Sequence, residues 1–107
     1  MNILFVCSMA EVRSKTASEC LGFVSDYCGT DKLSDRYINP LQVEWADRII
    51  CMENSHSNKV IELFPHSRNK IQVWNIQDRY EYLDNTLITI LRGKSEKYLD
   101  PYVTNKW

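Results

Sequence analysis

A chain of 107 residues, 44% hydrophobic and 25% charged, is long enough to bury one core and too short for two, so every motif is expected on one domain spanning 1–107. A formal charge of −1, with both signs scattered and no basic block, lacks the electrostatic footprint of a nucleic-acid or anionic-membrane partner. The apolar runs "ILFVC" and "LITIL" fall far short of the roughly 20 residues that cross a bilayer, and no basic region followed by a long apolar one opens the chain, so a cytoplasmic location is expected.

In chain order, residues 2–7 are bulky and apolar without polar alternation, the pattern of a strand buried on both faces. A loop at 8–13 leads to a helix in which Ala17, Cys20, Leu21, Val24 and Cys28 recur at helical spacing and which Gly29 ends. A short second strand is placed over Leu33–Ile38, with a stop at Pro40, and a helix follows through Leu41, Val43, Trp45 and Ala46. "RIICM", residues 48–52, makes the third strand, and Asn54 or Ser55 caps a helix that turns Val60, Ile61, Leu63 and Phe64 inward before Pro65. "KIQVWNI", residues 70–76, makes the fourth. Asp84 caps a last helix carrying Leu87, Ile88, Ile90 and Leu91 that Gly93 ends, and the tail from Lys94 adds one helical turn or lies on the surface.

Strands alternating with helices imply right-handed crossovers and an α/β fold: a three-layer αβα sandwich with a four-stranded parallel sheet, order 2-1-3-4. Ligands bind at the carboxyl ends of such strands, where Cys7, Met52 and Ile76 converge. The four cysteines, Cys7, Cys20, Cys28 and Cys51, have neither zinc-site spacing nor the density of a disulfide scaffold, and His56 and His66 are not placed beside them in sequence; no metal and no cofactor are expected. Cys20 and Cys28 read as core. Cys51 reads as a packed thiol or a redox partner of Cys7, and His56 as a loop-bonding or an exposed cap residue.

The loop after the first strand carries the chemistry. Its amides, Ser8 to Arg13, can curl into a cradle completed by the helix N-terminus, and Arg13 adds a planar two-pronged contact for phosphate. Cys7 lies at the floor of that cradle, where positive surroundings favour a nucleophilic sulfur, and Ser14 can donate to it. In-line attack on phosphorus needs an acid for the leaving oxygen and later a base for water; Asp78, in "IQDRYEYLD" after the last strand, can serve both, and Tyr80 and Tyr82 can wall a slot for a phenyl ring.

At this point "LFVCSMAEVRS" resembles the C-x5-R-S phosphate loop of the low-molecular-weight protein tyrosine phosphatases, "WADRIICMENSH" their third strand and following turn, and "IQDRYEYLD" their aspartate loop. The resemblance runs from residue 2 to about 92 and is greatest to a short bacterial branch. It implies Cys7 as nucleophile, Arg13 as phosphate clamp, Ser14 as thiolate stabiliser, Asp78 as acid and base, and a substrate site of Ser8, Met9, Ala10, Glu11, Val12, Arg13, Ser14 and Tyr80. The partner it implies is a phosphotyrosine protein or small aryl phosphate, met by a monomer or weak homodimer. Met9 and Ala10 stand where the family usually has Gly and Asn, Val12 where some relatives have a second cysteine, and Arg79 follows the aspartate. A phosphate-binding domain without turnover is therefore the main alternative. An arsenate reductase would need further cysteines after Cys51, and a phosphocysteine carrier would have little need of Arg13.

Overall fold

The computed structural model describes residues 1–99. All five residues of β1 (Ile3–Cys7) are buried, because the strand lies inside its sheet and helices cover both faces. β2 (Ser25–Gly29) and β3 (Arg48–Cys51) flank it, β4 (Ile71–Val73) pairs with β3, and every pairing is parallel in the order β2-β1-β3-β4. The connections are α1 (Arg13–Cys20), α2 (Pro40–Trp45) and α3 (Asn54–Leu63), followed by a 3-10 turn at Pro65–Lys70, with α4 (Asn85–Tyr98) after the last strand.

Alternation along β1 divides the core in two. Ile3, Phe5 and Cys7 join Ala17 of α1, Leu87 and Leu91 of α4, and Trp74, whose ring meets Phe5 edge-on at 5.8 Å. Leu4 and Val6 face the other way, onto Val43 of α2 and Val60 of α3. This is the expected three-layer αβα arrangement, with the expected strand order.

Several expected boundaries are corrected. The first helix ends at Cys20, not Cys28: Gly22 takes φ +80°, a conformation that stops a helix cheaply only at glycine, and the chain then enters β2. The spacing of Val24 and Cys28 was a coincidence of strand and helix periods, and Cys20 is only half-buried. No strand occupies Leu33–Ile38, where Leu33 is exposed and a single bridge joins Tyr37 to Gly29. Glu53 rather than Asn54 or Ser55 precedes α3 as its N-cap, and Leu63 faces solvent. Asn75, at φ 57°, breaks the fourth strand early, although Trp74 and Ile76 still donate to the Cys51 and Met52 carbonyls at 3.0 and 2.7 Å. Asp84 caps α4 as expected, its side chain accepting from Thr86 N–H at 2.7 Å, but the helix runs through Gly93 to Tyr98. The part of the tail from residue 100 on lies outside the described residues.

Gly29 ends β2, not a helix, and a Cβ there would lie 2.8 Å from Ser34 Oγ and closer still to the Ser8 carbonyl oxygen. Gly93 has open space around it in mid-helix. Urea denaturation is expected to show Gly29→Ala destabilised by about 2 kcal/mol through overpacking and Gly93→Ala stabilised by up to about 1 kcal/mol through helix propensity.

Candidate active site

The loop between β1 and α1 is held from outside by the segment leaving β2. Thr30 N–H donates to the Cys7 carbonyl at 2.9 Å, Asp31 N–H to that of Ser8 at 3.0 Å, and Ser34 Oγ to that of Met9 at 2.6 Å. In a planar trans peptide the N–H points opposite to the C=O. Drawing three successive carbonyls outward therefore turns the amides of Ser8, Met9 and Ala10 the other way, as an anion cradle requires. Val12 caps α1 without a side-chain hydrogen bond, so the helix adds its own N-terminal donors there. Ala10 has φ 61° and is buried; the left-handed turn that glycine or asparagine would make easily is imposed on alanine by the bracing around it.

Cys7 Sγ and Ser14 Oγ are 3.0 Å apart, both buried, and Ser14 Oγ also lies 3.3 Å from the Cys28 carbonyl. A carbonyl only accepts, and a hydroxyl has one proton. Ser14 can therefore donate to Cys28 while Cys7 is a thiol, and must turn its proton to the sulfur to stabilise a thiolate. A cavity of about 170 Å³ opens above them, lined by Cys7, Ser8, Met9, Glu11, Val12, Arg13 and Asp78. Ala10 and Ser14 are buried and do not line it, and Tyr80 packs half-buried against the α1–α4 side of the core.

Arg13 is 2% exposed and its charge is answered by carboxylates from two other elements. Nη1 donates to Glu53 Oε2 and, at 2.9 Å, to the Ile76 carbonyl, while Nη2 lies 3.8 Å from Asp78 Oδ2. The hydrogen bond from Arg13 holds the Glu53 carboxyl below the usual carboxylate range. Asp78, its side chain 69% exposed, stands at the mouth of the cavity. His56, in the first turn of α3, accepts from Glu53 N–H at Nδ1 (3.0 Å) and meets Ser8 Oγ at Nε2 (2.9 Å), so it reaches the loop and is not exposed. Burial, aided by Arg13, pushes its pKa down to about 4.

Glu53 was not singled out by the sequence reading. Its signal was available, because it directly follows the third strand at the sheet's ligand-binding end and stands three residues before a histidine. Cys51 pairs in register with Val6 and shares that residue's face, opposite Cys7, and burial pushes its thiol up to about 12. It is a packed thiol. Tyr82 is exposed, its hydroxyl on Glu19 and its ring under Lys15 Nζ at 4.5 Å, so it walls no slot at the cavity. Among the described residues no group of three or more His, Cys, Asp or Glu is placed to hold a metal ion, and no helix is long and apolar enough to cross a membrane.

No family model matches the chain, and no curated protein matches its sequence. Solved structures do. The YwlE arginine phosphatase from Geobacillus stearothermophilus superposes with a TM-score of 0.77 over 99% of this chain and 97% of its own, at 18% identity. The low-molecular-weight phosphotyrosine phosphatase VcLMWPTP-2 from Vibrio cholerae O395 gives 0.79 over 100% and 99%, at 14% identity. The tyrosine phosphatase Wzb from Escherichia coli K30, in complex with phosphate, gives 0.69 over 94% and 97%, at 16% identity. At these identities the likeness is one of fold.

His56 makes the site acid-sensitive. The unfolded ring takes a proton below about pH 6.5 and the folded ring only near 4, so acidification through that window favours the unfolded chain. The loss is on the order of 3 kcal/mol. Glu53 adds to it at lower pH, since its stabilisation is present above the unfolded carboxyl value and is lost as pH falls through the depressed folded one. Urea denaturation at stepped pH should show the wild type weakening across the histidine window and His56→Gln weakening less; parallel curves would contradict the assignment.

Proposed function

Since the chain carries the fold of the low-molecular-weight protein tyrosine phosphatases along its described length, we propose that it is a cysteine-dependent phosphatase. Its substrates are phosphotyrosine proteins or similar aryl phosphate monoesters. One observation carries the reading: Cys7 and Arg13, at the two ends of the loop after β1, and Asp78, from the loop after β4, line a single small cavity at the carboxyl end of β1. Met9 and Val12 give that cavity apolar walls suited to a phenyl ring.

In the first step the Cys7 thiolate attacks phosphorus in line, the P–S bond forms as the P–O bond to the aryl group breaks, and Asp78 protonates the departing oxygen. Arg13 and the loop amides hold the equatorial oxygens, where charge gathers in a loose transition state. In the second step Asp78 takes a proton from water as it attacks the phosphocysteine. The P–S bond breaks, orthophosphate leaves, and Ser14 donates to the released thiolate. Negative charge is answered throughout by Arg13 and backbone N–H groups, so the scheme calls on no metal.

The likeness to an arginine phosphatase supports a second reading, favoured by one feature. Glu11 lines the cavity, and its carboxylate could pair there with a guanidinium carrying the phosphoryl group. Turnover of p-nitrophenyl phosphate with chelator present is expected for the wild type and abolished in Cys7→Ser, with Asp78→Asn lowering kcat about 100-fold or more. Tight vanadate binding by a folded wild type without turnover would establish a binding domain instead. The ratio of kcat/KM on phosphotyrosine and phosphoarginine peptides decides between substrates, and Glu11→Gln should move it toward phosphotyrosine if the second reading holds.

A further inference from the structure

His56 is 2% exposed, and neither step of the proposed chemistry uses it. Both of its ring nitrogens are nonetheless engaged, Nδ1 by Glu53 N–H and Nε2 by Ser8 Oγ. A backbone amide can only donate, so Nδ1 must be the bare nitrogen and Nε2 the one that carries the proton. That proton occupies a lone pair of the Ser8 hydroxyl, which then cannot point its own proton back at the ring. Ser8 lines the cavity beside Cys7.

We propose that His56 is a positioning residue that holds the Ser8 hydroxyl as a hydrogen-bond donor into the cavity, where it takes a phosphoryl oxygen. The inference rests on the reading of this cavity as an oxyanion site.

Three features support it. The ring is kept neutral by its burial and by Arg13, which outweigh the opposite pull of Glu53 and Asp78, the carboxylates facing it. A cationic ring would carry a proton on Nδ1 and lose the bond from Glu53 N–H, so the helix cap and the tautomer depend on each other. Among the residues that line the cavity Ser8 is the one that carries a hydroxyl. The N-cap of α3 thus controls two side-chain donors at once: the Glu53 carboxylate grips Arg13, and the Glu53 amide, through His56, orients Ser8.

Calorimetric titration with vanadate of the wild type, Ser8→Ala, His56→Phe and the double variant tests the assignment. Ser8→Ala is expected to weaken binding about tenfold, the loss of one hydrogen bond to a charged group. His56→Phe should weaken it too, and the double variant should bind no more weakly than Ser8→Ala alone. Additive losses would mean that His56 acts otherwise than through Ser8. Nitrogen-proton correlation spectra of the wild type supply a readout that needs no variant to fold. They should show His56 protonated at Nε2 and not titrating between about pH 5 and 8; a proton on Nδ1, or titration near the ordinary histidine value, would overturn the proposal. Vanadate binding without turnover would overturn the hydrolase reading while the cycle still decides this one, and no vanadate binding by the folded wild type would overturn both.

Discussion

A guanidinium with only 2% of its surface exposed must have its charge answered inside the protein, and at this site the answer comes from Glu53. Without Glu53 the guanidinium would keep only the Ile76 carbonyl and, 3.8 Å away, Asp78, in surroundings that solvate a charge poorly. The pair therefore constrains the architecture. It requires the end of β3 to lie beside the end of β1, which the parallel register of those strands provides. It also requires α3 to start directly after Glu53, which the cap geometry provides. The Ile76 carbonyl and Asp78, both after β4, complete the surroundings of Arg13 from the third strand end. Three loops are thus drawn onto one arginine, and the cavity is the space they leave.

The second constraint acts on the opposite flank. With neither glycine nor asparagine in its bend the loop has no cheap left-handed residue, and Ala10 takes that conformation under compulsion. The compulsion comes from the 30–34 segment, which binds three loop carbonyls, and from Gly29, whose missing side chain lets the two backbones meet. Strain of about 1–3 kcal/mol at a functional loop persists when the surroundings over-determine it. Ser34, whose hydroxyl donates to the Met9 carbonyl next to Ala10, braces the bend from outside the loop.

What was legible in the chain follows from the period of each segment. β1 and β3 are runs buried on both faces and could be read from apolar continuity, and α4 from its cap and spacing. β2 was missed because an edge strand made of Ser25, Asp26, Tyr27, Cys28 and Gly29 has no apolar pattern of its own; it exists because β1 offers it a ladder. Gly29 is misassigned as the helix end, and Gly22 is passed over, for a related reason. Both are turn-forming residues in sequence, but only one sits at positive φ, and the other answers a close approach between backbones distant in the chain. Glu53 and the bond from His56 to Ser8 escaped notice, or stayed open, because they join residues 40 and 48 positions apart.

The sequence by itself determined the layered α/β class, the strand order expected of it, and the placement of Cys7, Arg13 and Ser14 around a strand-to-helix loop, because these depend on local periodicity and on residues within one short segment. Tertiary structure alone decided which carboxylate holds Arg13, which way the loop carbonyls turn, which face of the sheet Cys51 occupies, and which nitrogen of His56 carries its proton. Each of those depends on strand register and on the meeting of distant loops, and a hydrogen bond has no direction until both of its partners are in place.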